Sequence, residues 1–188
     1  MDDQPVRLRP MTVADLPIVE RWMRQPRVAE WWSDDPDAEV ADIEDELRSG
    51  GATVYRIVEL DGRPVGLLFR YRLEDYVEYV DELKAAHVDL PANAWSMDYL
   101  LGEEDVVGRG VGSAMIRAGC DELWTSDAKA SCVMVPVHAD NVRSWSALRR
   151  VGFTRVGGVF EMEPDTAAHD GRHVVYSMRR PQQDATGA

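Results

Sequence analysis

The sequence is short of basic residues, of cysteine and of long apolar runs, and each shortage excludes a class of protein. It carries 21 Lys and Arg against 34 Asp and Glu, a formal net charge of −13 over 188 residues. Contacts to nucleic acid need clustered Lys and Arg, so we expect no nucleic-acid partner. No segment reaches the roughly 18 to 20 apolar residues of a membrane span, so we expect no membrane partner either.

The two cysteines and the N-terminus carry no processing or metal signal. Cys120 and Cys132 fall within predicted regular elements, where free thiols act as small apolar side chains, so we expect neither a disulfide nor a metal site. The opening "MDDQPVRLRP" lacks the basic and apolar parts of a signal peptide, which favours a cytoplasmic protein. We expect a single domain over residues 1–180 and a flexible tail over 181–188.

Acidic residues are concentrated in two segments. Residues 33–50 hold eight of them and residues 74–89 hold another six. A solvated helix face explains any one of these acids, but two dense groups create a negative field that attracts cations. The sequence therefore favours a cationic small-molecule partner.

Apolar periodicity and turn signals predict an α+β fold with a mixed sheet. Asp61-Gly62 predicts a tight hairpin between the strands "TVYRIVEL" and "RPVGLLFRYRL". Helices are predicted from Thr12 to about Arg24, Asp35 to about Arg48, Glu74 to Ala86, Arg109 to Trp124 and Asp140 to Arg150. The element order does not repeat as β-α-β units, which is typical of an α+β rather than a doubly wound sheet.

The stretch "EDVVGRGVGSAM", residues 104–115, joins a predicted strand to a predicted helix. A P-loop would need Lys after the last glycine, and a dinucleotide fingerprint would need a third glycine at Ser113 or Met115. What remains is a glycine loop whose backbone amides approach a ligand closely, next to a helix N-terminus that favours a diphosphate. A tight turn without any ligand is the alternative.

A second motif, "NVRSWSALRRVGF", follows the next predicted strand. It places Asn141 at the start of a helix, Ser144 one turn later and Gly152-Phe153 at the end. Together the two motifs resemble the GNAT acyltransferase superfamily, whose pattern is R/Q-x-x-G-x-G/A, then N-x-x-A/S and G-F. The match extends from about residue 6 to residue 179. It implies a GNAT fold, with a mixed, mostly antiparallel central sheet splayed at the acetyl-CoA site and flanked by helices.

The resemblance implies that acetyl-CoA lies along the splayed strand and over the glycine loop. The residues at the matching positions are Tyr99, Leu100, Leu101, Val107, Gly108, Arg109, Gly110, Val111, Gly112, Ser113, Asn141 and Ser144. Val107 stands where the pattern prefers Arg or Gln, and Arg109 adds positive charge. An N–H near Tyr99 or Leu100 would meet the charge that develops on the thioester oxygen.

Three features resemble the aminoglycoside 6'-N-acetyltransferases within that superfamily. They are "AEWWSDD" near the N-terminus, "SMDYLLGEEDVVGRGVG" in the middle and the acidic insertion between them. The finer resemblance implies acetyl transfer to the 6'-amine of an aminoglycoside, an antibiotic-resistance activity, directly in a ternary complex. Asp98 stands at the position of the base proposed for that group. A base is required because an amine of pKa about 10 is mostly protonated at neutral pH. A strand-end carboxylate held by backbone amides or an Arg is the alternative for Asp98.

The substrate wall is expected from aromatic and acidic side chains. Aromatic faces stack on sugar rings and hold cations, which favours Trp31, Trp32 and Tyr76 as substrate-binding residues together with Asp98 and Asp140. Plain packing is the alternative for the aromatic residues, and helix capping is the alternative for Asp140. Monomer and homodimer both stay open.

One departure keeps other functions open. Many members of the superfamily carry a Tyr general acid where this chain has Leu148. Either the thiolate leaves without that acid, which a thiol pKa of about 8.5 permits, or another residue takes the role. His138-Ala139-Asp140 also fits a siderophore-type hydroxylysine N-acyltransferase, and Leu148 is compatible with a non-catalytic acyl-CoA sensor.

Overall fold

The computed structural model describes residues 6–164 and 166–182, which form a seven-stranded sheet with helices on both faces. In spatial order the strands run β1-β2-β3-β4-β5-β7-β6. They are β1 (Val6–Pro10), β2 (Val54–Leu60), β3 (Arg63–Arg72), β4 (Ala94–Leu101), β5 (Cys132–His138), β6 (Thr154–Glu161) and β7 (Arg172–Arg179). Of the predicted tail, residues 183–188 lie outside the described part of the chain.

Six α-helices cover the sheet. They are α1 (Leu16–Met23), α2 (Pro26–Trp32), α3 (Pro36–Ser49), α4 (Val77–Ala85), α5 (Val111–Ser126) and α6 (Val142–Val151). Within the described ranges, none of the helices has the length and apolar character that crossing a membrane requires.

The sheet confirms the prediction of a mixed, mostly antiparallel arrangement. Every neighbouring pair of strands is antiparallel except β4 and β5, which are parallel. The predicted hairpin at Asp61-Gly62 is also confirmed, because both residues have left-handed φ values of 52° and 77° between paired Leu60 and Arg63.

Pro26 divides the N-terminal helical region in two. Gln25 is extended with ψ of 132°, as expected of a residue before proline, and Pro26 occupies the first turn of α2. The sequence pattern did not predict α2 as a separate helix, although this helix carries Trp31 and Trp32.

Two predicted helix starts are corrected by the capping residues. Helix α5 begins at Val111 rather than Arg109, because Gly110 has a left-handed φ of 89° and forms the N-cap. Helix α6 begins at Val142 rather than Asp140, because the Asn141 side chain accepts a hydrogen bond from the Ser144 N–H at 3.2 Å. Asn141, not Asp140, is therefore the cap of α6.

Alternation along β3 divides the apolar core between the two faces of the sheet. Leu68 packs with the cluster that contains Ile116 of α5, whereas its neighbour Leu67 packs with Val19 of α1 and Ile43 of α3. Both leucines are fully buried. Strand β3 is thus packed on both faces, and its pairing with β4 fixes the position of β4 in the sheet.

The C-terminal end of β4 is fixed against α1 through Gly102. A Cβ atom at Gly102 would lie 2.1 Å from the indole ring of Trp22, which is fully buried. The Trp22 Nε1–H donates to Glu103 Oε1 at 2.8 Å, and this bond holds the pKa of Glu103 below its ordinary value of 4.5. The Gly102 N–H donates to the Val65 carbonyl oxygen at 2.8 Å. Only glycine fits this close approach.

We expect Gly102→Ala to lower the free energy of unfolding by about 2–3 kcal/mol, because the added methyl group overpacks the site against a buried indole. Urea denaturation monitored by circular dichroism measures this change. Gly158→Ala in β6 is the matched control: no atom lies within 4 Å of its Cβ position, so its unfolding free energy should change by no more than about 0.5 kcal/mol. Equal losses in both variants would contradict the role of the Trp22 contact.

Candidate active site

The candidate site lies where β4 and β5 separate. Among the described residues, the two strands pair only at Ala94–Cys132 and Trp95–Val133. Since the Gly102 N–H bonds to β3, alternation along β4 turns the backbone groups of Tyr99 and Leu101 away from β3 and towards the opening. The opening therefore presents a strand edge with hydrogen-bonding groups that β5 does not pair.

Two adjoining cavities occupy this opening. The larger, of about 460 Å³, reaches from Val107 and Gly112 at the glycine loop to Tyr99. The smaller, of about 120 Å³, lies between β4 and β5 and is lined by Asp98 and Pro136. The residues that line both cavities are Trp31, Trp32, Tyr99, Asn141 and Ser144. A long ligand in the larger cavity would therefore end beside Asp98.

The glycine loop leaves room for an anionic group. Gly108 and Gly110 have left-handed φ values of 78° and 89°, and a Cβ atom on either would meet no atom within 4 Å. The first turn of α5 leaves its backbone N–H groups without partners in the helix, so the loop and helix together suit a diphosphate. The observed loop fits the expected coenzyme at this point.

Three other predicted cofactor residues, Arg109, Val111 and Ser113, do not line the larger cavity. The Arg109 guanidinium donates to the Asp105 carbonyl oxygen at 3.3 Å and lies outside the larger cavity. The Val111 side chain belongs to the core, and Ser113 Oγ donates to the Ala147 carbonyl oxygen at 3.4 Å. The binding roles of these residues stay predictions.

Asp98 and Tyr99 project from opposite faces of β4. The Asp98 carboxylate is half-buried beside Tyr71; burial, and then the charge of Asp98, raise the pKa of Tyr71 well above its ordinary value. The Tyr99 hydroxyl is hydrogen-bonded to Ser144 Oγ at 2.8 Å. Burial is also the main cause that raises the pKa of Tyr99, so its phenol stays protonated at neutral pH.

A chain of aromatic rings covers the Asp98 face of the sheet. Trp32 meets Phe69 edge-on with ring centroids 5.9 Å apart, and Phe69 lies 6.2 Å from Tyr71. Tyr71 is 4.4 Å from Tyr76, which itself lines neither cavity. Tyr76 is thus connected to the surroundings of Asp98 through Tyr71, a residue that the sequence pattern did not single out.

The segment after β6 bridges the open end of the site. Trp31 stacks on His169 with ring centroids 3.9 Å apart. Thr166 Oγ1 donates to the Glu30 carbonyl oxygen at 3.2 Å, and the Ala167 N–H donates to Asp34 at 2.6 Å. These contacts join helix α2 to the strand pair β6–β7 across the mouth of the opening.

His138 and Asp140 are engaged within the protein. The Asp140 N–H donates to His138 Nδ1 at 3.2 Å, so the opposite nitrogen, Nε2, carries the proton and donates to Asp170 Oδ1 at 3.0 Å. The Asp140 carboxylate forms an ion pair with Arg172 at 2.8 Å. A contact of Asp140 with a second ammonium group stays a prediction. No cluster of three or more His, Cys, Asp or Glu suited to a metal ion occurs in the described ranges.

Arg27 is a site residue that the sequence analysis missed. Its guanidinium lines the larger cavity and donates to the carbonyl oxygens of Leu101 at 2.6 Å and Gly102 at 2.7 Å. It thereby attaches helix α2, with Trp31 and Trp32, to the open edge of β4. The one available signal was the position of this arginine, about one helical turn before the tryptophan pair.

We expect Arg27→Leu to lower the free energy of unfolding by about 1.5–3 kcal/mol, because two carbonyl groups lose a charged donor. Arg143→Leu, which also alters a residue lining the larger cavity but an exposed one, should change it by no more than about 0.5 kcal/mol. Urea titration of both variants tests the difference. If Arg27→Leu left the free energy of unfolding unchanged, helix α2 would be held by its packing alone.

Comparisons with known proteins agree with this geometry. Residues 12–160 match the family model described as acetyltransferase (GNAT) domain. The aminoglycoside N(6')-acetyltransferases type 1 of Klebsiella pneumoniae and Serratia marcescens are each 26% identical to this chain over 160 residues, covering 82% of this chain and 76% of the relative. The structure of AAC(6')-Ib in complex with ribostamycin and coenzyme A superposes with a TM-score of 0.76 and 22% identity, covering 96% of this chain and 99% of that one. The last likeness shows a shared fold.

Proposed function

The chain belongs to the family of GNAT acetyltransferase domains, and we propose that it transfers the acetyl group of acetyl-CoA to the 6'-amine of an aminoglycoside. The observation that carries the proposal is the pair of adjoining cavities. One meets the glycine loop and the open edge of β4, and the other holds the Asp98 carboxylate. The names of the two curated relatives support this choice of acceptor.

The donor site would be built mainly from backbone groups. Acetyl-CoA supplies an acetyl thioester; the amides of the glycine loop and of the first turn of α5 would hold its diphosphate. The backbone groups of Tyr99 and Leu101, which face the opening, suit the amide groups of the pantetheine arm. The Tyr99 N–H is then the donor that polarises the thioester carbonyl, since the Leu100 N–H faces β3.

Asp98 would prepare the acceptor. An amine of pKa about 10 arrives as an ammonium ion at neutral pH and cannot attack until it loses a proton. The carboxylate pairs with the ammonium, takes its proton directly or through water, and leaves the nitrogen lone pair free for attack. Both buried cysteines belong to the apolar clusters of the core, so we propose direct transfer without a covalent enzyme intermediate.

The acceptor pocket offers apolar faces and negative charge. Trp31 and Trp32 line both cavities and suit stacking on a sugar ring. Asp98 lines the smaller cavity, and the chain as a whole carries a net charge of −13. A polycationic acceptor would be attracted to this entrance over a distance set by the ionic strength.

We expect Asp98→Asn to lower kcat by about 10²- to 10⁴-fold, because the amide cannot accept the proton of the ammonium. The measurement is CoA-thiol release from acetyl-CoA with a 6'-amino aminoglycoside. Asp42→Asn, an exposed carboxylate on α3, is the matched control and should keep full activity. An Asp98 variant with activity within twofold of the original would remove Asp98 from the mechanism.

The same assay distinguishes the competing functions. The acceptor panel contains 6'-amino aminoglycosides, a 6'-hydroxy analogue, spermidine and hydroxylysine. Turnover on the 6'-amino compounds alone supports the proposal. Turnover on hydroxylysine alone would indicate a siderophore-type N-acyltransferase, and acetyl-CoA binding without release on any amine would indicate an acyl-CoA sensor.

We further expect KM for the aminoglycoside to rise with ionic strength, because salt screens the attraction between a cation and an acidic entrance. The Debye length falls from about 30 Å at 0.01 M salt to about 8 Å at 0.15 M. Steady-state kinetics over this range test the effect, and KM for the anionic acetyl-CoA, which should not rise in parallel, is the internal control. A flat KM for the aminoglycoside would exclude electrostatic attraction as a source of affinity.

A further inference from the structure

Leu148 has no polar group that could stabilise a departing thiolate. Leu148 is fully buried in the main core cluster and lines neither cavity. The hydroxyl groups of Tyr99 and Ser144, in contrast, are hydrogen-bonded to each other at 2.8 Å and line both cavities. They stand at the junction where the end of a donor in the larger cavity would meet the Asp98 cavity.

Strand alternation gives the two sides of β4 different chemistry. Asp98 points to one face and Tyr99 to the other, while the Tyr99 N–H lies in the opening between them. An acceptor amine that pairs with Asp98 therefore approaches the thioester carbonyl carbon from one face. The donor reaches this point along the larger cavity, which Tyr99 also lines, so its sulfur arrives on the side of the Tyr99 hydroxyl.

We propose that the Tyr99 hydroxyl, positioned by Ser144, donates a hydrogen bond to the sulfur of the leaving CoA thiolate. This inference rests on the acetyl transfer proposed above. Asp98 first passes the proton of the ammonium ion to solvent. The amine lone pair then forms the C–N bond, the electron pair of the broken C–S bond leaves with the sulfur, and the second proton that the nitrogen loses passes to Asp98. The thiolate accepts the Tyr99 hydrogen bond and takes a proton from solvent after release.

Two other polar side chains at the junction already use acceptor atoms within the protein. The Asn141 amide oxygen caps α6 through the Ser144 N–H, and both ring nitrogens of His138 have partners. If the Ser144 hydroxyl donates to the phenolic oxygen, the Tyr99 proton is left to point into the cavity. Because burial raises the pKa of Tyr99, that proton is retained in alkaline solution.

Binding of free CoA tests the proposal without any acceptor amine. Calorimetry measures Kd for CoA at pH 6.5 and at pH 9, below and above the ordinary thiol pKa of about 8.5. We expect the ratio of Kd in Tyr99→Phe to Kd in the original protein to be near 1 at pH 6.5 and about 10 or more at pH 9, because only the thiolate needs the donor. Desulfo-CoA, which has no thiol, should give a ratio near 1 at both values of pH.

The titratable neighbours of Tyr99 do not disturb this comparison. Asp98 and Cys120 are the groups whose charge acts on it, and both are the same in the two proteins. Burial raises the pKa of Cys120 to about 12, so its thiol stays protonated over the range of the experiment. A ratio that does not change with pH would overturn the proposal.

A double-mutant cycle separates a catalytic Tyr99 from a structural one. Single-turnover acetyl transfer should fall about 10- to 100-fold in Tyr99→Phe, with KM for acetyl-CoA changed less than about threefold. Ser144→Ala should slow transfer less, and should add nothing in the Tyr99→Phe background, because Ser144 acts through the phenol. Tyr176→Phe, a buried tyrosine in the same core cluster, controls for loss of a hydroxyl group and should leave the rate unchanged.

The outcomes of this inference and of the proposed function can be told apart. If the original protein transfers acetyl to an aminoglycoside and Tyr99→Phe does so within twofold of its rate, the thiolate leaves unaided and only the inference fails. If no aminoglycoside is acetylated, the acceptor assignment fails, while the pH-dependent Kd ratio for CoA still decides the role of Tyr99.

Discussion

The separation of β4 from β5 is the constraint on which the rest of the site depends. Two adjacent parallel strands would normally pair along their length, yet here the ladder stops after Ala94–Cys132 and Trp95–Val133. The backbone N–H and C=O groups of Tyr99 and Leu101 that face the opening need partners, since an unpaired backbone group away from water costs free energy. Arg27 supplies one to the Leu101 carbonyl, and a peptide-like ligand suits the rest. The opening is therefore a binding surface built from the backbone itself.

The opening is held at both ends, which keeps its width defined. At the closed end the short parallel ladder joins the two halves of the sheet. At the open end Trp31 stacks on His169, while Thr166 and Ala167 hydrogen-bond to α2 and the turn that follows it. The aromatic residues that face the cavities are thus carried by a short helix tied to both halves, a suitable arrangement for positioning a substrate.

The alternation of side chains along β4 separates the two polar side chains of this strand that line the smaller cavity. The Asp98 carboxylate lies on the face covered by Phe69 and Tyr71, and the Tyr99 hydroxyl lies on the face covered by α6. One residue of separation along β4 places this carboxylate and this hydroxyl on opposite faces of the strand.

The sequence by itself determined the elements whose cause is local. The hairpin at Asp61-Gly62, the glycine loop before α5 and the strand that carries Asp98 were all predicted, because turn conformations and apolar periodicity depend on neighbouring residues. Only the tertiary structure decided which distant side chains meet. It joined Arg27 to the end of β4 and His169 to Trp31. It also paired Arg109 with the Asp105 carbonyl group, and Asp140 with Arg172. A charged or aromatic side chain has many possible partners in the sequence, and the packing of the fold selects one.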